Sequence, residues 1–186
     1  DWAWIIKTSN MQGVPALVAD GLQICLKFNP NNNPFANETA AEKLKRIQWL
    51  GNVVAYERLY AKHEKAMADL AVLYATNDIQ MMVIKGYGLS LDWPVPNHRP
   101  VGDLDIYNFG KWHAADALVA KTCGIRVDEG HEHHTVFNYN GVSVENHYDF
   151  INTKAHRDDP KIAARLWSVT MSLGVDEVIM IFYRYS

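Results

Sequence analysis

The chain reads as an α+β protein, a small mixed β-sheet flanked by helices with a helical extension at the N-terminal end. Three observations predict this. Helical periodicity fills residues 38–76, an apolar run of strand length follows at 79–85 and an alternating one at 103–107, and Asn140-Gly141 joins two strand-like runs into a hairpin. Helices gathered at one end and strands further on give a sheet with helices segregated around it.

Residues 1–27 carry apolar positions at Trp4, Ile5, Met11, Val14 and Leu17, and Gly13-Val14-Pro15 splits them into two short helices meeting at a turn. Pro30 to Pro34, with three asparagines between the prolines, is a loop. Asn37-Glu38-Thr39 has the form of a glycosylation acceptor, but its place before a helical pattern makes it a helix start. From Glu38 to Thr76 apolar residues recur at spacings of three and four: Leu44, Ile47, Leu50 and Val54, then Leu59, Met67, Leu70 and Leu73. Gly51-Asn52 marks a candidate bend in this helix. Packing support for the rest of the chain is its expected role, with a grip on substrate as the alternative.

Asn77-Asp78 is a helix stop, and Ile79 to Lys85 a dense apolar strand. A short helix around Leu89–Trp93 ends before Pro94 and Pro96, and Asp103 to Tyr107 is the second strand. Lys111 to Cys123 is an alanine-rich helix closed by Gly124, and Ile125 to Asp128 a short strand. His134 to Tyr139 and Val142 to Phe150 form the hairpin. Three regions are expected: 1–78, helical; 79–152, the core; and 153–186, a helical segment. The start at Asp1 and the stop just after the apolar run Val178 to Tyr183 lead us to expect further residues at one or both ends.

At 186 residues and 48% hydrophobic, the chain can bury one real core with a helical extension. A net charge of −3 and a pI near 6.2 disfavour a grip on nucleic acid by bulk electrostatics, although a local basic groove stays open. Cys25 and Cys123 make no metal or redox motif, which points to a reduced, cytoplasmic protein. No apolar run approaches the ~18–20 residues of a membrane span, and no signal peptide is visible.

The chemistry concentrates at residues 83–107. Asp103 and Asp105 are two apart in a strand pattern, so both face one way, about 7 Å apart along the strand, with Leu104 and Ile106 opposite. Such a pair can converge on one Mg²⁺, or on two ions roughly 3.5–4 Å apart, as phosphoryl-transfer enzymes require. Alone it is weak, because 21 acidic residues in 186 yield such pairs by chance. Its surroundings strengthen it. Lys85-Gly86 ends a strand, and Gly86, Gly88 and Ser90 open a short helix whose backbone N–H groups suit an anion. Lys85 and Arg99 can add phosphate contacts; the alternative for Lys85 is a plain surface lysine.

A third carboxylate is needed to complete the metal site or to serve as base, and Glu145 in Val-Ser-Val-Glu-Asn-His fits. An exposed sheet face is the alternative. The two-residue turn pairs Tyr139 with Val142, and hence Val136 with Glu145 and His134 with His147. In that register Glu145, His134 and His147 form one polar cluster, where the histidines could orient Glu145, contact phosphate or bind a transition metal. His131-Glu132-His133-His134 lacks the spacing of the helical zinc motif His-Glu-x-x-His.

These segments resemble the nucleotidyltransferase superfamily of DNA polymerase beta, and within it a bacterial group of uncharacterised nucleotidyltransferase-like proteins with a Lys-Gly turn. The resemblance rests on Val83-Ile84-Lys85-Gly86, Arg99-Pro100-Val101-Gly102-Asp103-Leu104-Asp105, Gly124-Ile125, His134, and Val144-Glu145-Asn146-His147, and it covers about residues 79–150. It implies the nucleotidyltransferase fold, with Asp103, Asp105 and Glu145 binding Mg²⁺ or Mn²⁺, and Lys85, Gly86, Ser90 and Arg99 cradling phosphate. The implied reaction moves a nucleoside monophosphate from an NTP, ATP first, to an unidentified hydroxyl acceptor and releases pyrophosphate. Two departures stand out. The superfamily's Gly-Gly or Gly-Ser step is here Lys85-Gly86-Tyr87-Gly88, and Asp92 to Pro96 lengthens the gap from Gly86 to Asp103. The competing expectations are an inactive nucleotide-binding or regulatory module of the same fold, and a His/Glu metallohydrolase with tightly bound zinc.

Overall fold

The computed structural model describes residues 2–31, 33, 35–149 and 159–172. Among these residues, helices accompany a four-stranded mixed sheet, the α+β class expected. They fall into two compact units: the described residues up to Lys65 together with Leu89–Gly102, and Ala66–Gly88 together with the described residues from Asp103 onward.

In the first unit, α1 (Trp2–Met11) and α2 (Pro15–Phe28) meet at the expected turn. Gly13 takes a positive φ of 67° there, and Pro15 starts α2, where the N–H it lacks would have no helical partner. The long helix α3 (Ala40–Ala75) opens with a capping box. Thr39 Oγ1 accepts from Glu42 N at 3.3 Å, and Glu42 Oε2 accepts from Thr39 N at 2.9 Å. The Asn37-Glu38-Thr39 segment is thus a helix start. Glu38 also holds Arg46 through two hydrogen bonds of 2.8 and 3.0 Å, and the guanidinium covers the Phe35 ring.

The extent of α3 matches the apolar pattern, but in its first half the buried face does not. Trp49, Val53, Tyr60 and His63 face the interior, whereas Leu44, Ile47, Val54 and Leu59 are exposed. Aromatic residues carry this seam: Trp49 and Val53 pack with Ala16 and Ala19 of α2. No break occurs at Gly51-Asn52. A single 3₁₀ turn, Pro96–His98, brings His98 between Asp20 (2.7 Å) and Glu57 (3.0 Å).

In the second unit, α3 continues with Ala66, Met67, Leu70 and Tyr74 buried and stops where Asp78 turns to a φ of 56°. Strand β1 covers only Met82–Val83, shorter than the expected 79–85, because the chain turns at Lys85 into α4 (Lys85–Ser90). The short helix therefore begins four residues earlier than Leu89. Strand β2 is Leu104–Tyr107, buried throughout, and α5 is Trp112–Cys123, capped by Gly124 at a φ of 66°. The expected strand at 125–128 reduces to one bridge, Asp128 to Val136. Strands β3 (His134–Tyr139) and β4 (Val142–His147) turn at Asn140 and Gly141, both at positive φ (52° and 78°), as a tight hairpin of this hand requires. Helix α6 is Asp159–Ser172. Phe150, the expected end of the last strand, and the run Val178 to Tyr183 lie outside the described residues; β4 itself ends at His147.

The sheet order is β1-β2-β4-β3. β1 is antiparallel to β2, β2 parallel to β4, and β3 antiparallel to β4, in the register the Asn140-Gly141 turn dictates. Helix α5 covers one face. Its buried Asp116 accepts from Asn146 Nδ2 of β4 at 2.8 Å and from Thr135 Oγ1 of β3 at 2.9 Å. That leaves the opposite face for the residues that alternate with these.

Candidate active site

Residues aligned across a parallel pair share a face. The β2–β4 register aligns Asp105 with Glu145 and Tyr107 with His147, and the hairpin aligns His147 with His134. With Thr135 and Asn146 turned to α5, alternation places Asp105, Glu145, His147 and His134 together on the other face.

Their side chains meet. His147 is fully buried, and its Nε2 lies 2.9 Å from Asp105 Oδ1 and 3.3 Å from Glu145 Oε2. Lys85 Nζ donates to the same Asp105 oxygen at 2.8 Å and stands 3.1 Å from His147 Nε2. His134 Nε2 lies 3.8 Å from Glu145 Oε1. Lys85 is positioned by its own backbone. Ile84 N–H donates to the Asp105 carbonyl at 3.0 Å, and Lys85 then takes a left-handed φ of 50°.

Proximity splits the two carboxylates. Burial alone would raise Asp105, but the hydrogen bonds from His147 and Lys85 outweigh it and hold this carboxyl below its ordinary range. For Glu145, burial and the charges of Asp103 and Asp105 prevail over His147 and Lys85, and the carboxyl sits above its ordinary range. The two neighbouring carboxyls are thus pushed in opposite directions. Such a divergence marks functional sites more often than surfaces.

The donor set fits a divalent cation. Ligand atoms of Asp105, Glu145 and His147 all lie within 4.8 Å of one another. The carboxylate oxygens suit Mg²⁺ and Mn²⁺ alike, while the imidazole nitrogen suits Mn²⁺ better. Asp103 sits one residue ahead of β2 rather than within it, so strand alternation does not fix its direction. Its charge reaches Glu145, but it is not in the close group.

The residues expected to hold phosphate are more dispersed. Gly86 lies in α4, next to a Tyr87 that is itself buried. Ser90 is fully buried, its hydroxyl 2.9 Å from that of Tyr60, and Arg99 donates to the Pro100 carbonyl at 3.4 Å. Both belong to the first unit. His133 was not among the expected site residues. It neighbours His134 and His147, with ring centres 4.5 and 5.6 Å away. A run of three histidines in four residues at a strand entry was the available signal, set aside because its spacing fits no helical motif.

Among the described residues, no helix is long and apolar enough to cross a membrane. Comparison with curated proteins and with solved structures found no match. The family model described as "uncharacterised nucleotidyltransferase" does match, over residues 1–180, and the chain belongs to that family.

Proposed function

We propose that the chain is a Mg²⁺-dependent nucleotidyltransferase that moves a nucleoside monophosphate from an NTP, ATP first, to a hydroxyl acceptor. The observation that carries this reading is the convergence of Asp105, Glu145 and His147 within 4.8 Å on one sheet face. In the reaction, the acceptor oxygen bonds to the α-phosphorus, the bond from that phosphorus to the bridging oxygen breaks, and pyrophosphate leaves. Asp105 and Glu145, joined by Asp103, would hold Mg²⁺ or Mn²⁺. Such an ion neutralises triphosphate charge and fixes the phosphates in line.

The protein's own groups do the rest. His147, held in the core, keeps Asp105 oriented through the 2.9 Å contact. Where Glu145 does not itself hold the ion, its raised affinity for a proton suits it instead to accept the acceptor's hydroxyl proton. Lys85 has a half-exposed side chain. It can leave Asp105 for an incoming phosphate oxygen, as expected for the residue beside Gly86. Two exposed free cysteines support a reducing, cytoplasmic setting.

One contact favours the second reading, an inactive module that keeps the fold. The Lys85 ammonium already neutralises Asp105 at 2.8 Å, as a bound cation would. Calorimetric titration of ATP, GTP, CTP and UTP with and without Mg²⁺ separates the two. Mg²⁺-dependent binding supports the transferase, and binding indifferent to Mg²⁺ favours the module. No binding of any NTP by the folded chain defeats both.

A further inference from the structure

The hairpin gathers a second set of ligands, of which the nucleotidyl-transfer reading uses His147 alone. His133 precedes β3, His134 begins it, and His147 ends β4 directly opposite His134. The turn is pinned in place: the backbone N–H groups of Tyr148 and Asp149 both donate to the His133 carbonyl, at 3.1 and 3.2 Å. Ligating ring nitrogens of the three histidines all lie within 4.8 Å of one another. Each ring also has a buried Nδ1 with no hydrogen-bond partner.

Three buried, unbonded imidazole nitrogens on rings this close together are costly unless something binds them. We propose that His133, His134 and His147 form a site for a borderline transition-metal ion of the Zn²⁺ class, separate from the oxygen-rich Asp105–Glu145 pair. Nitrogen donors select such ions over Mg²⁺. Three protein ligands leave a fourth position open, unlike the four of a closed structural zinc site. His147 links the two sets. Asp105 faces its Nε2 at 2.9 Å, the arrangement in which a carboxylate fixes the tautomer and orientation of a ligating histidine.

The test is a Co²⁺ titration of metal-stripped protein, read by visible absorption, which is intense for four-coordinate and weak for six-coordinate Co²⁺. The expected result is one Co²⁺ per chain with an intense spectrum, displaced by Zn²⁺ but not by excess Mg²⁺. His133→Ala and His134→Asn should each weaken binding at least about tenfold, and Asp105→Asn, which removes the carboxylate behind His147, should weaken it by about 10–100-fold yet keep the intense spectrum at saturating Co²⁺. Absence of Co²⁺ binding by the wild-type chain overturns the proposal. So does a weak six-coordinate spectrum, or binding that Asp105→Asn abolishes and His133→Ala does not, since the ion would then sit on the carboxylates. Far-UV circular dichroism of each variant identifies any that fails to fold, and the wild-type titration decides the question without it. Nucleotide binding is not read in this experiment, so its outcome is independent of the transferase reading.

Discussion

Asp105→Asn is the perturbation that most sharply tests the candidate site. The substitution keeps the side chain's size but removes its charge from a carboxyl that accepts from Lys85 at 2.8 Å and from His147 at 2.9 Å. A hydrogen bond to a charged group contributes about 1.5–3 kcal/mol when buried. The Lys85 side chain is 48% exposed, so solvent screening reduces its share, and a total loss of about 1–2 kcal/mol is expected. For a chain of this size that lowers the melting temperature by roughly 2–8 °C, so the variant should still fold. Function should suffer far more. Losing a supporting partner of a metal ligand already costs about 10–100-fold in metal affinity, and losing the ligand itself costs at least as much. Calorimetry should therefore show Mg²⁺-dependent NTP binding weakened at least about a hundredfold in a variant with a native-like far-UV spectrum. Unchanged Mg²⁺-dependent binding, or retained transfer of labelled nucleotide, would refute the assignment of Asp105.

Other predictions concern the scaffold. Burial disfavours the charged form of His98, but its hydrogen bonds to Asp20 and Glu57 outweigh this and raise its affinity for a proton. Its stabilisation should be fully present below about pH 6.5 and disappear as pH rises through the higher folded value. The melting-temperature gap between wild type and His98→Ala should shrink from slightly acid to alkaline buffer; a constant gap would contradict the charge-based account. Thr39→Ala removes half of the capping box and should lower stability by about 1 kcal/mol in urea titrations at unchanged m-value. Gly88→Ala would place a Cβ 3.1 Å from the Val83 carbonyl oxygen, whereas Gly51→Ala meets nothing within 4 Å. The first should destabilise by about 1–3 kcal/mol and the second stabilise by about 0.5–1 kcal/mol; equal effects would dispose of the close-approach argument.

Local chemistry was legible where one residue type had one conformational use. Asn140-Gly141 dictated the hairpin register, and that register set His147 against His134. Gly124 ended α5, and Gly13-Val14-Pro15 separated α1 from α2. The seam of α3 was misread for a related reason. Counting aliphatic residues put Leu44, Ile47 and Val54 inward, but larger rings, Trp49 and Tyr60, take the buried positions there, Trp49 against the small Ala16 and Ala19. Periodicity located the helix; side-chain volume chose its face. Strand β1 shrank because hydrophobicity cannot report a backbone reversal at a lysine.

That reversal bears on the site. Lys85 holds a left-handed φ of 50°, which costs a residue with a Cβ roughly 1–2 kcal/mol and would cost glycine almost nothing. A strained lysine at that turn persists only where its surroundings offset the cost. Two contacts do so: the Ile84 N–H bond to the Asp105 carbonyl, and the ammonium seated between Asp105 and His147. Both converge on one residue of β2, which is neighbour to β4 only because the sheet runs β1-β2-β4-β3. No spacing in the chain encodes that order. The same order aligns Asp105 with Glu145, so one residue of β2 both anchors the turn at Lys85 and meets its partner carboxylate across the parallel β2–β4 ladder.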